Sequence, residues 1–277
     1  MSNDGLVAVD AHAHLYPDFG ICSFVERAHS NLSEGVARIS QTLQPTCVLF
    51  VLSTHEGNGF CRLQNAFEGG GHEVDRRTGD WQLHATAERA SVCLTSRDDY
   101  RLVVIAGHQL VSREQLEVLA LGTCQQFEGG KATETLIREV AEAGALPVLP
   151  WGVGKWLGRR GRLVEELIEA PTLPPFFLGD SAHRPTFWPQ PSQFRRAEEQ
   201  GVRNLSGSDP LPFPEEVQRA GSFGVVLDGS LNLERPAQDL KQKLLDPSTT
   251  FRQFGEGEAP ARFVRNQLKM QFRKLIQ

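Results

Sequence analysis

The sequence predicts an α/β protein built as a distorted (β/α) barrel of the TIM type, with seven or eight mainly parallel strands. Its 277 residues suffice for one such barrel, which typically needs about 250 residues. Short apolar, β-branched runs recur along the chain, and several are followed by stretches of helical periodicity, as βα units require. We therefore treat residues 1–277 as a single domain.

Eight apolar runs are the predicted strands: Leu6–Val9, Cys47–Leu52, Leu102–Ala106, Leu116–Leu121, Leu146–Leu149, Pro175–Leu178, Val202–Leu205 and Phe223–Leu227. Helical periodicity predicts five helices: Ile21–Leu43, Lys131–Ala143, Arg162–Ala170, Gln193–Gln200 and, beginning at a favourable first-turn proline, Pro260–Ile276. Two polar regions interrupt this pattern. Glu56–Asp99 is predicted to be a loop or hairpin excursion, with Trp81–Ala85 and Ala90–Thr95 as its two arms, and Arg235–Glu258 to be a surface connection.

The composition is that of an ordinary globular protein. Hydrophobic residues make up 40% and charged residues 23%, and the net charge of -5 gives no bias toward nucleic acid. The chain has neither an apolar run long enough for a membrane span nor a signal-peptide pattern, so we expect a cytoplasmic protein that does not bind membranes. Five cysteines without C-x-x-C spacing argue against a disulfide framework and a structural zinc knuckle. The oligomeric state is left open.

The first predicted strand ends in Asp10-Ala11-His12-Ala13-His14, the segment that says most about function. Side chains two apart on a strand point to the same side, so Asp10, His12 and His14 are expected to project together. Two imidazoles placed in this way can bind one divalent metal ion; zinc is the first candidate, with manganese or iron as alternatives. The competing interpretation is a pair of partly buried histidines that bond to backbone carbonyls.

Polar residues also follow the later predicted strands, at the end of the barrel that carries active sites. Asp209, in Gly207-Ser208-Asp209-Pro210, is a candidate site residue at such a strand end, although it could instead cap a turn. Further predicted ligands are Asp180, His183 and Glu117. The predicted substrate-binding residues are Lys155, Arg159, Arg184, Trp151, His108 and Gln109. His55 and Glu56 follow the second strand.

Four cations lie within Lys155–Arg162, directly after the fifth predicted strand. Such a cluster can bind a phosphate or carboxylate, and Arg184 could join it. The glycine spacing before Lys155 does not match a nucleotide-binding P-loop. The alternative is a solvated loop with no ligand.

The His12/His14 and Asp209 motifs resemble those of the metal-dependent hydrolase superfamily, which includes amidohydrolases, TatD-like nucleases and the polymerase and histidinol phosphatase (PHP) domains. The resemblance implies a catalytic divalent metal on these three residues. It also implies hydrolysis of a small anionic substrate by a metal-activated water, with Asp209 taking the proton.

The chain departs from the amidohydrolase pattern, because its fifth strand is followed by Trp151 and Lys155 and by no histidine. The PHP pattern has a glutamate ligand where this chain has Gln109, with Glu117 close by in sequence. Two alternatives therefore stay open. One is a phosphoesterase of the PHP type, and the other is a catalytically inactive barrel that binds a metabolite or a protein partner.

Overall fold

The fold is a mixed α/β arrangement around one curled sheet, as seen in a computed structural model that describes residues 5–40, 44–54, 57–68 and 77–276. The strands are β1 (Leu6–Ala13), β2 (Thr46–Thr54), β3 (Gly57–Asn58), β4 (Arg77–Thr78), β5 (Trp81–Ala85), β6 (Ser91–Ser96), β7 (Arg101–Val111), β8 (Glu117–Leu121), β9 (Leu146–Pro150), β10 (Phe177–Gly179), β11 (Gly224–Asp228) and β12 (Arg252–Phe254). The helices are α1 (Ile21–Ala37), α2 (Gly59–Glu68), α3 (Thr133–Glu142), α4 (Arg159–Glu169), α5 (Ser192–Glu199), α6 (Pro236–Leu245) and α7 (Pro260–Ile276), with a 3₁₀ helix at Pro214–Arg219.

The main path of the sheet is a half-barrel of strands in the order β10-β9-β8-β7-β2-β1-β11-β12. The pairs β1–β2, β2–β7 and β9–β10 are parallel, whereas β7–β8, β8–β9, β1–β11 and β11–β12 are antiparallel. The prediction of mainly parallel strands is therefore wrong. One reason is the connection 112–116 between β7 and β8, which is too short for the crossover that a parallel pair needs.

Segment 203–209 lies between β10, which is the strand at one edge of the sheet, and the end of β1. On one side, the amide of Leu205 donates to Leu178 at 2.7 Å; on the other, the amide of Asp209 donates to the carbonyl of His12 at 2.7 Å. The predicted strand Val202–Leu205 thus makes an isolated bridge to β10, between Asn204 and Leu178, and does not form a regular strand. These contacts bring Asp209 beside the His-x-His motif.

The two faces of the sheet carry separate apolar layers. The inner face includes Val7 and Val9 of β1 together with alternate residues of β2, β7, β8 and β9. The outer face includes Leu6 and Ala8 and packs against α1, α2 and the β5–β6 hairpin. The side chains of β1 thus alternate between the two layers, and the directions of its site residues are described relative to this alternation.

The polar regions contain more regular structure than their sequence indicates. The predicted excursion Glu56–Asp99 contains α2 and the antiparallel β5–β6 pair, and β6 joins the sheet through β7. The second region, Arg235–Glu258, contains α6 and β12, so the prediction of a bare connection is wrong there. α1 ends at Ala37, short of the predicted Leu43, which itself lies outside the described residues. None of the described helices has the length and apolar character needed to cross a bilayer.

Candidate metal centre

A β-bulge at the end of β1 sets the direction of the predicted ligands. Asp10 and Ala13 of β1 pair with Leu49 and Val51 of β2, so β1 has one extra residue between them. An extra residue reverses the alternation of side chains beyond it. Ala13 accordingly packs in the outer layer, and the two histidines of the motif turn to the inner side.

Asp10 stays on the outer side, so the prediction that it projects together with the histidines is wrong. Its carboxylate accepts the amides of His12 at 3.0 Å, Ser208 at 2.9 Å and Gly221 at 2.9 Å, and also the Ser208 hydroxyl. Burial raises the pKa of Asp10 to about 6, although the hydrogen bonds from Ser208, His12 and Gly221 oppose this shift. Asp10 therefore ties β1 to the segment that carries Asp209.

The predicted ligands His12, His14 and Asp209 converge on one point. Nε2 of His12 lies 3.1 Å from Nε2 of His14 and 3.3 Å from Oδ1 of Asp209, and Nε2 of His14 lies 3.6 Å from the same Oδ1. Oε1 of Gln109 completes the group at 3.1 Å from Nε2 of His12. Among the described residues, the two histidines and Asp209 form the one set of three candidate metal ligands.

The donor set fits a metal ion better than a network of hydrogen bonds. Nε2 of His12 faces three other ligand atoms, yet a neutral imidazole nitrogen carries at most one hydrogen. One hydrogen cannot satisfy all three contacts. Ligands at zinc distances of 2.0–2.1 Å on a tetrahedron are separated by about 3.3 Å, which matches the observed spacing between the ligand atoms.

Asp209 adopts an uncommon backbone conformation at the site. Its φ of 48° lies in the left-handed region, which is sparsely populated by residues other than glycine and tolerated best by Asn and Asp. Burial acts to raise the pKa of Asp209, but electrostatic interactions with His12, His183, His14 and Lys155 hold it below its usual value. The carboxylate is therefore ionised at neutral pH, as a ligand must be.

His14 is prepared as a neutral ligand. Burial, followed by the neighbouring charge of His12, lowers the pKa of His14 to about 4, against the opposing effects of Asp209, Gln109 and the Leu52 backbone. The ring is uncharged at neutral pH. Its Nε2 lone pair is therefore available to a metal.

Glu117 and Lys155 lie one step behind the cluster. Oε1 of Glu117 accepts a hydrogen bond from Nε2 of Gln109 at 3.0 Å and is paired with Nζ of Lys155. Glu117, a predicted ligand, is thus connected to the cluster through Gln109. About a third of the Lys155 side chain is exposed (32%), which leaves it accessible from solvent.

His183 contacts the backbone of Asp209. Its Nε2 donates to the carbonyl oxygen of Asp209, and its Nδ1 lies 3.4 Å from Oε2 of the buried Glu258. Glu258 also accepts a hydrogen bond from Asn266 of α7 at 2.7 Å and lies 3.6 Å from Arg219. Through His183, this buried network holds the Asp209 backbone in place. No motif marks Glu258 in the sequence, where it follows a Gly-rich stretch.

Asp180 and Arg184 bind each other and contribute no atom to the cluster. The Arg184 guanidinium donates to both carboxylate oxygens of Asp180, at 2.8 and 3.0 Å for the two shortest contacts. Arg184 also donates to the carbonyl of Trp188. Ser181, which no sequence pattern distinguishes, lies closer to the cluster, with its hydroxyl 3.5 Å from Oδ2 of Asp209.

Three other predicted substrate-binding residues lie apart from the cluster. Trp151 is buried in the apolar layer under α3–α5 and makes an edge contact with Trp188. His108 faces away from Gln109, and its Nδ1 accepts the amide of Phe127. Arg159 is exposed at the start of α4. His55 and Glu56 lie outside the described residues.

Comparisons with known proteins bear on the fold alone. No protein-family model and no curated protein matches the chain. The crystal structure of PsfC from Pseudomonas syringae PB-5123 is 16% identical, with a TM-score of 0.56 over 99% of this chain and 100% of that chain. The lesion-specific endonuclease PfuEndoQ from Pyrococcus furiosus is 11% identical, with a TM-score of 0.47 over 89% of this chain and 57% of that one. At these identities the likeness concerns the fold alone, and of these two structures PsfC is the one similar enough to bear on it.

Proposed function

We propose that this protein is a metal-dependent hydrolase whose single divalent ion binds His12, His14 and Asp209. The observation that carries the proposal is the crowding of Nε2 of His12, which has three other ligand atoms within 3.3 Å. Two imidazoles with oxygen ligands suit zinc, and manganese or iron can occupy the same set. We propose on the same ground that the chain is a member of the metal-dependent hydrolase superfamily.

The proposal includes a distorted (β/α) barrel with the centre at its mouth. The hydrogen bonds that segment 203–209 makes to both β10 and β1 support closure of the half-barrel at this point. Enzymes with such barrels carry their sites at the carboxyl ends of the strands. His12 lies in the bulge at that end of β1 and His14 directly follows it, and Gln109 lies near that end of β7.

Asp209 is the proposed base. A bound divalent metal would supply hydrolytic chemistry by lowering the pKa of a water molecule toward about 7. Oδ1 of Asp209 faces the two histidines, while its Oδ2 lies beside the hydroxyl of Ser181. A quarter of the Asp209 side chain is exposed (25%), so this ionised carboxylate can take up a proton on the solvent side.

We propose that Lys155 is the cation that orients a small anionic substrate. It lies close enough to act on Asp209 and is held by Glu117 when no anion competes. Arg184 is already paired with Asp180, so it is the weaker candidate. The candidate bonds are an amide, a lactone and a phosphoester, and hydrolysis of a phosphoester would favour the PHP-type alternative.

The proposal is tested by metal content and by Asp209→Asn. Protein purified without chelator is expected to hold about one divalent ion per chain by elemental analysis. Hydrolysis found in a panel of lactones, amides and phosphoesters, with added zinc or manganese, should fall about 10²–10⁴-fold in the variant, because Asn cannot take up the proton. The variant should retain more metal than activity.

Asp99→Asn is the matched control, since Asp99 is an exposed aspartate that also has a positive φ, 63°. It should behave as wild type. Turnover of Asp209→Asn within a few-fold of wild type would make Asp209 structural. A wild-type protein that binds no divalent ion would remove the hydrolase proposal and favour the inactive, ligand-binding alternative.

A further inference from the structure

Glu117 touches no ligand atom of the two histidines or Asp209, yet it determines which end of Gln109 faces them. We infer that Glu117 is a positioning residue that fixes the Gln109 amide with its oxygen toward the metal, making Oε1 a fourth ligand atom. The inference rests on the proposed metal site and identifies one further residue on which the affinity of that site depends.

The orientation of a glutamine amide is decided by its hydrogen-bond partners, because the oxygen and the NH₂ group are nearly the same size. An ionised carboxylate only accepts hydrogen bonds. Glu117 therefore requires the NH₂ group of Gln109, and the observed contact is 3.0 Å from Nε2 to Oε1 of Glu117. The amide oxygen is then directed at Nε2 of His12, 3.1 Å away.

The opposite orientation is disfavoured at both ends. It would place the amide oxygen against the Glu117 carboxylate, so that two acceptors face each other without a hydrogen. It would also direct NH₂ hydrogens at the point where the histidine and Asp209 ligand atoms converge, where a cation is expected. Lys155 reinforces the observed arrangement, because its Nζ binds the same Oε1 of Glu117 and holds that carboxylate in place.

The backbone that carries this pair is rigid. Gln109 is on β7 and Glu117 is on β8, and these antiparallel strands are in register from Gly107–Leu121 to Val111–Glu117. Gln109 pairs directly with Leu119, which places Glu117 one diagonal step away on the same, inner face. The amide is thus held by neighbouring strands of the sheet, which a flexible loop could not do.

A neutral amide also leaves the centre with a positive charge. Asp209 is the one anionic ligand among the four atoms, so a bound dication retains a net charge of about +1 before any further ligand binds. This charge favours an anionic substrate near Lys155. A glutamate at position 109 would instead neutralise the centre.

A swap of the two side chains tests the inference through metal affinity. We would measure zinc affinity by competition with a chromophoric chelator for wild type, Glu117→Gln, Gln109→Glu and the double variant Gln109→Glu/Glu117→Gln. Glu117→Gln should bind zinc about 10–100-fold more weakly, the range typical for loss of a residue that orients a ligand. The double variant restores an oxygen toward the metal and an amide donor behind it, so it should return to within a few-fold of wild type.

The matched control is Glu139→Gln, which removes the carboxylate of another Lys–Glu pair, with Lys131, at α3. It should leave zinc affinity unchanged, and thermal melts of every variant check that the fold is kept. If wild type binds zinc and Glu117→Gln binds it equally well, Glu117 does not orient the amide and this inference alone fails. A double variant that binds zinc no better than Glu117→Gln would overturn it too. If wild type binds no zinc, the metal site fails and this inference fails with it.

Discussion

His14 shows how a single residue is prepared for its role by its surroundings. Because burial lowers its pKa to about 4, the ring is neutral over most of the physiological range and needs no deprotonation before it binds a metal. The sequence predicted His12, His14 and Asp209 correctly as a convergent set. It placed Asp10 wrongly, because alternation predicts direction only on a regular strand, and the bulge at 10–13 is a backbone feature that residue types do not reveal.

The lowered pKa predicts a pH dependence for the metal-free protein. The folded-state value lies below the ordinary value of 6.5, so the unfolded chain binds the extra proton. The stability contributed by neutral His14 is therefore present above pH 6.5 and is lost as pH falls toward 4. The difference in free energy of unfolding between wild type and His14→Asn should shrink by about 2 kcal/mol from pH 7 to pH 5.

Urea denaturation in the presence of a chelator, at several pH values, measures this difference. Taking it between wild type and variant cancels the opposite linkage of Asp10, whose raised pKa of about 6 makes the folded state lose stability as pH rises through that value. His84→Asn is the control, since His84 is an exposed histidine on β5. A wild-type curve parallel to the His14→Asn curve would contradict the prediction.

At the scale of elements, periodicity located most of the longer strands but not their directions. An apolar run reads the same in a parallel and an antiparallel pair, so the pattern itself does not give the directions of β8 and β11. For β8, the short connection after β7 was the available signal. α6 was missed because it lies in a polar region and buries mainly Leu240 and Leu244 along one narrow stripe. Val202–Leu205 was predicted as a strand, but segment 203–209 makes irregular contacts to β1 and β10, and these contacts place Asp209 at the site.

Gly207 is a position where this segment approaches β1 closely, and it provides a test of that contact. A Cβ atom there would lie 2.4 Å from both the backbone nitrogen and the Cβ of His12, so Gly207→Ala must push the segment away. We expect a loss of about 1–3 kcal/mol in stability, the usual result of overpacking. Zinc affinity should also fall at least about tenfold, because Asp209 shifts relative to the histidines.

Gly57→Ala is the matched control, since a Cβ at Gly57 meets no atom within 4 Å. Denaturation and chelator competition would be measured on both variants. If Gly207→Ala keeps both its stability and its zinc affinity, the close approach of the two segments does not position Asp209.

At the scale of the whole molecule, α7 shows what periodicity leaves undecided. The sequence predicted this helix with the bounds Pro260–Ile276, which the structure has. It did not predict that the polar side would face the body, where Arg262 and Asn266 meet the buried Glu216. Leu268 and Phe272 are instead more than half exposed, at 55% and 63%. This helix therefore packs against the body through buried charged and polar side chains, and not through its apolar side as amphipathic helices usually do.

The proposed metal site links parts of the chain that are far apart in sequence, and this predicts a global effect of metal. His12 and His14 lie in the first strand, whereas Asp209 lies in a segment that the sheet holds through irregular backbone bonds. An ion bound to all three is absent from the unfolded chain, so it stabilises the folded state by mass action, by about 2.7 kcal/mol at 100 times its dissociation constant. For a chain of this size the melting temperature should rise by roughly 5 °C or more.

Thermal melts of chelator-treated protein with and without added zinc measure this rise. The double variant His12→Ala/His14→Ala should keep the fold, because both rings lie at a strand end and outside the apolar layers, and should show no rise. His84→Ala, which alters an exposed histidine elsewhere, should respond as wild type does. An equal rise in the double variant would mean that zinc stabilises the protein from another place, and the convergence of His12, His14 and Asp209 would then have to be explained by packing and hydrogen bonds alone.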